Sequence, residues 1–179
     1  MRSSSILAVT VCFCLLVTTI VVGRIAPHPM NMAPVAAAAL FSAFLFRNRL
    51  VAVAVPLAGM LISDWFIGFY NWRIMATVYV GLAFPVLLSQ FLKGTNVLRI
   101  LGCSVTGSVF FYLTSNAACW AFTPMYEHNL PGLIECYVAA LPFFRNTVAG
   151  DLGWSAGFFG VYAAVTAWQA QRQPAATLS

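Results

Sequence analysis

Asp64 stands in the run ISDWFIGFYNW, residues 62–72, a carboxylate among aromatic and aliphatic side chains. With Gly68 and Asn71 it follows the spacing i, i+4, i+7, which puts all three on one face of a helix. A carboxylate so close to hydrocarbon must face protein or a wet cavity, and it needs a partner. Arg24, Arg73 and Arg145 are the candidates. Two roles stay open: a structural ion pair that fixes helix packing, or a contact to ligand, either direct or through an arginine that Asp64 presents.

A second polar cluster lies in LPFFRNTVAGD, residues 141–151. Asp151 in the first turn of a helix would complement the helix dipole. Arg145 near the same start would not, so it calls for a carboxylate such as Glu135 or Asp64, or for an anionic group of a ligand. The segment PHPMNM, residues 27–32, holds His28 and Asn31 between prolines. His and Met suit copper(I), with Met125, His128 and Cys136 as distant partners, but the spacing matches no strong metal motif. Glu127 and Glu135 complete the acidic set. No GxSxG or HExxH pattern occurs, and nothing names a nucleophile. No cofactor site is expected.

The elements that position these residues follow from composition. The chain has 179 residues, 61% hydrophobic and only 7% charged. One helical crossing needs about 20 mostly apolar residues, so there is room for about six crossings and no soluble domain. Backbone groups in lipid must be satisfied within each segment, which makes the fold helical. The apolar runs lack the alternation of a membrane barrel. The expected spans are 6–22, 34–46, 50–70, 74–92, 100–122 and 148–168. The first could instead be a cleaved signal peptide with Arg2 as its basic region. The second is too short to cross unless the loop before it dips into the membrane. Pro85 should kink the fourth. A loop at 123–136 and a half-length apolar piece at 137–144 should lead into a break at 145–147. Gly153, Gly157 and Gly160 have the small-residue spacing that lets helices approach, expected to serve packing within the bundle or docking of another subunit.

The positive charges sit singly at span ends. Arg2, Arg47, Arg49, Lys93, Arg99 and Arg172 fall on one side, and Arg24, Arg73 and Arg145 on the other. An excess of Lys and Arg in short loops marks the cytoplasm, so both termini are expected inside and the loops at 24–33, 71–73 and 123–136 outside. All four acidic residues then lie at or near the outer face. Trp65, Tyr70, Trp72, Trp120, Tyr126, Tyr137 and Trp154 gather there too, as an interfacial belt or as walls of a pocket. A net charge of +5 without any basic run argues against nucleic acid. The five cysteines form no CxxC pair, so a zinc or thioredoxin-like reading has no support.

The stretches PHPMNMAP at 27–34, LISDWFIGF at 61–69 and LIECYVAALPFFRNTVAGDL at 133–152 resemble an uncharacterised bacterial family of multi-pass membrane transport proteins. In size and layout that family is similar to the substrate-binding S components of energy-coupling factor (ECF) transporters. The resemblance implies an all-α membrane protein, a bundle of six transmembrane helices with both termini cytoplasmic, in a bacterial inner membrane. It implies that outer loops one, three and five close over a vitamin-like nutrient, with His28, Asn31, Asp64, Asn71, Arg73, Glu127, Glu135, Arg145, Asn146 and Asp151 surrounding or gating it. It also implies a partner, an ECF-type transmembrane subunit driven by ATPases. The AxxxA docking motif found in the first helix of many S components is missing from span 1; Ala54 and Ala58 of span 3 show that spacing instead. The expected function is capture of a small nutrient from outside, and the mixed sign of the outer cluster favours a zwitterionic or hydrogen-bonding ligand. A membrane scaffold, a soft-metal permease and an intramembrane enzyme are the alternatives.

Overall fold

The computed structural model describes residues 6–92 and 94–172. Arg2 and Lys93, both used in the charge reading, lie outside them. The described residues form helices α1 (Ile6–Ile25), α2 (Val35–Leu45), α3 (Arg49–Ile67), α4 (Trp72–Ala83), α5 (Pro85–Leu88), α6 (Val97–Phe122) and α7 (Leu130–Arg172), with a 3-10 turn at Ser89–Phe91 after α5. Four stretches are long and apolar enough to cross a membrane: α1, α3, α6 and the continuous run Trp72–Phe91. This is an all-helical protein of membrane composition.

Asparagines start α3, α4, α6 and α7. The side chains of Asn48, Asn71 and Asn96 accept the backbone N–H of Leu50, Arg73 and Arg99, and Asn129 accepts that of Gly132. Each satisfies a donor that a helix start would otherwise leave bare, worth about 1 kcal/mol. Pro85 breaks the fourth span where it was expected to, separating α4 from α5, because a proline cannot donate to the ladder.

α2 is the centre of the molecule. Its residues Val35 to Ser42 are all buried, and it touches α1, α3, α4, α5, α6 and α7. Its 11 residues span only about 16 Å, roughly half the hydrocarbon thickness. Protein surrounds it, so it need not reach across. Small residues make this possible: VAAAALFSA lets the neighbouring helices close in. The chain before α2 therefore descends into the bundle as a loop, which is tolerated at membrane depth only where backbone is buried in protein or lines a cavity.

α7 differs from expectation. The break at 145–147 does not form, and one helix runs for 43 residues through Pro142, Arg145 and Asn146. At about 65 Å it is twice the thickness of a bilayer core. Near its middle it pairs evenly with α6, through Ser104–Ser155 at 2.8 Å and Ser108–Asp151 at 2.6 Å. Further along, Tyr112 of α6 reaches the Tyr137 carbonyl at 2.6 Å. Between these contacts α7 advances about four turns and α6 about one, so the two axes diverge. Pro142 lies in that interval, where a proline bends a helix. Gly153, Gly157 and Gly160 meet nothing within 4 Å; they face outward and do not pack within the bundle.

Candidate functional site

The loop from Ala26 to Pro34 roofs a cavity of about 330 Å³ at one end of the bundle. Its wall draws on nearly every element: Arg24 from α1, His28, Asn31 and Ala33 from the loop, Val35 from α2, Met60 and Ile67 from α3, Tyr70, Val78 and Leu82 from α4 and the turn before it, Phe111 from α6, Thr147 and Asp151 from α7. A smaller cavity of about 180 Å³ shares Asn31, Phe111 and Thr147 with it and opens where α6 and α7 diverge.

The roof is held at three points. A Cβ at Gly23 would stand 2.6 Å from Pro34 Cδ, and one at Gly150 would stand 2.8 Å from Met32 Cα. Trp154 Nε1 donates to the Met32 carbonyl at 2.9 Å. Between these points the chain turns, with Met32 N–H donating to the Pro29 carbonyl at 3.2 Å. Asn31 takes φ 64° at the third position of that turn, a left-handed conformation that asparagine tolerates better than most residues. His28 donates through Nδ1 to the Ala26 carbonyl at 2.6 Å, which leaves Nε2 of the neutral ring as an acceptor.

Asp64 is paired. It is 1% exposed, and its Oδ1 lies 2.7 Å from Nη1 of Arg24, which is the ion pair among the described residues. Oδ2 accepts from the Tyr79 hydroxyl at 2.6 Å. The same Arg24 nitrogen donates to the Ser63 hydroxyl and the Met60 carbonyl. Oδ1 consequently has a close cation but no aligned hydrogen bond. Of the three arginines considered for Asp64, the structure selects Arg24. Gly59 makes the pairing possible: a Cβ there would collide with Ile20, so α1 and α3 pack closely just below.

Asp151 is different. It is 4% exposed and lines the cavity, and its Oδ2 accepts from Ser108 at 2.6 Å. No ion pair reaches it among the described residues.

The ten candidates divide. His28, Asn31 and Asp151 lie on the cavity wall, and Asp64 touches it through Arg24. Asn71 caps α4 and donates to the Phe122 carbonyl at 3.4 Å. The Arg73 guanidinium stands over the Trp72 and Phe122 rings, 5.6 and 5.5 Å from their centroids. Glu127 accepts from Asn129 at 2.7 Å. Glu135 and Arg145 are exposed on α7 and Asn146 is half-buried there. The structure does not bring these last six to the cavity. Arg24, offered by the sequence as a partner for Asp64, and Tyr70, offered as a pocket wall, do line it, and the structure adds Phe111 and Thr147 to the wall and Tyr79 and Ser108 behind it. No spacing rule marks Phe111, Thr147, Tyr79 or Ser108, since each depends on which helices become neighbours.

Over residues 4–176 the chain matches a family of unknown function, DUF6580. No curated protein and no solved structure matches it.

Proposed function

The chain belongs to the DUF6580 family, and on that premise we propose that it binds a small nutrient at the outer face of a bacterial inner membrane, for uptake. The observation that carries this reading is the 330 Å³ cavity beneath the loop before α2, with a buried carboxylate in its wall. Its size is at the lower end of small-molecule sites, and ionisable groups at membrane depth are costly enough that they usually serve a ligand or ion path. The excess of arginine at the far end, Arg47, Arg49, Arg99 and Arg172 against Arg24, Arg73 and Arg145, supports a cytoplasmic placement of that end. The cavity would then open outward.

The S-component likeness extends the reading to a six-span topology and to uptake driven by an ATPase-linked membrane subunit. The outward-facing glycines of α7, open around Gly153, Gly157 and Gly160, offer such a subunit a close approach. The same face also favours a second reading, a scaffold that holds a partner and moves no solute.

Native mass spectrometry of the purified protein separates them. A co-purified small molecule, lost in an Asp151→Asn variant, supports nutrient binding. A co-purified protein with no small molecule in its place supports the scaffold.

A further inference from the structure

The charge of the cavity wall points to the charge of its occupant. Three side chains on the wall can carry charge: Arg24, His28 and Asp151. Arg24 is committed elsewhere, its Nη1 lying 2.7 Å from Asp64 and donating to Ser63 and Met60. The pair is neutral as a unit. His28 gives its Nδ1 proton to the Ala26 carbonyl and is an acceptor at Nε2 when neutral. Asp151 remains, 96% buried by its 4% exposure, with Ser108 as its hydrogen-bond donor and no ion pair among the described residues.

We infer that this cavity takes a small organic ammonium, with Asp151 as its counter-ion. This deepens the proposed function and rests on it. A carboxylate can accept about four hydrogen bonds, and one that is buried without a counter-ion is unfavourable. An ammonium supplies both the charge and the donors. An anionic ligand would meet Asp151 with no free cation to offset it. A zwitterion is disfavoured for the same reason: the charge of Arg24, which would meet its carboxylate, is already offset by Asp64. The mixed-sign cluster read from the sequence disperses in three dimensions, because Arg73, Arg145, Glu127 and Glu135 do not line the wall. The rest of the wall suits an apolar body. Tyr70 and Phe111 offer ring faces that attract cations, and Met60, Val78 and Leu82 offer aliphatic surface.

The test is isothermal titration of the full-length protein in detergent with three molecules of one shape: phenethylamine, 2-phenylethanol and phenylacetate. Phenethylamine should bind at least about tenfold more tightly than the alcohol, as expected for a hydrogen bond to a charged group, and phenylacetate should bind least. Asp151→Asn, a near-isosteric change, should remove the preference for the amine, so that amine and alcohol bind the variant with similar affinity. The comparison on the unaltered protein needs no variant to fold. If the alcohol or the acid binds as well as the amine, or if the amine preference survives in Asp151→Asn, the ammonium assignment is overturned and a small-molecule cavity still stands. If none of the three binds, the ammonium assignment and the nutrient-binding reading both fall.

Discussion

Gly150 of α7 and Met32 of the roof loop meet at a separation that only glycine allows, since a Cβ at 150 would stand 2.8 Å from the Met32 Cα. The neighbour is backbone and cannot rotate away. Gly150→Ala must therefore lift the loop or shift the helix, and overpacking of this kind costs about 1–3 kcal/mol. The expected outcome is a lower unfolding temperature together with weaker ligand retention in native mass spectrometry. Trp154→Phe, which removes the bond to the Met32 carbonyl and part of the ring that lies by Phe158, should cost at least about 1 kcal/mol and serves as the comparison that leaves Gly150 in place. An unaltered Gly150→Ala protein would show that the loop is not held by α7.

Arg24 and Asp64 act as one neutral unit in the packing of α1 against α3. Removing one partner leaves the other buried and uncompensated, a loss of about 3–5 kcal/mol, whereas replacing both with apolar residues of similar size is often neutral. Asp64→Ala is accordingly expected to lower thermal stability sharply, and Arg24→Met with Asp64→Leu to recover most of the loss. Thermal unfolding in detergent reads both. Equal damage in the single and double variants would argue that Asp64 matters through Tyr79 alone.

Cys136 on α7 donates to the Asn116 carbonyl of α6 at 3.5 Å, which sets it beside the turn of α6 that carries Cys119, at the end of the bundle that carries the 123–129 loop. Both are free thiols. A mild thiol oxidant such as diamide should join them, taking up the two hydrogens lost, while Cys12, Cys14 and Cys103 stay free. Intact mass after alkylation would register the change, and a Cys119→Ser variant should abolish it.

The orientation is tested from both ends. Met30 is 68% exposed on the roof loop, and Thr95 lies between α5 and α6 at the other end. In a background without native cysteines, Met30→Cys should react with a membrane-impermeant thiol reagent in intact cells. Thr95→Cys should react only with a permeant one. The reverse pattern would invert the topology and direct the cavity to the cytoplasm.

Much of the architecture was legible in the chain because hydrophobicity is a local, summed property. Runs at 50–70, 74–92 and 100–122 announce helices, and they fall on α3, on the α4–α5 run and on α6. Pro85 announces a break, since its ring lacks a donor whatever surrounds it. The shortness of the span at 34–46 was visible too, with the need for the preceding loop to dip. At 145–147 the local signal misled: Arg145, Asn146 and Thr147, shortly after Pro142, look like a connection, but α7 stays helical through them, as tertiary context often overrides propensity.

The site divides along the same line. That Asp64 and Asp151 are exceptional could be read from the sequence, because a carboxylate in apolar surroundings is costly wherever it sits. Which of them is satisfied could not. Asp64 is neutralised by Arg24, 40 positions away, because Gly59 lets α1 lie close against α3. Asp151 is left with Ser108 on a cavity wall because α2 is too short to fill the bundle and the chain before it roofs the remaining space. The sequence alone determined which residues are costly to bury; only the tertiary structure, by choosing the neighbours of each helix, decided which of those carboxylates meets an arginine and which meets only a serine hydroxyl.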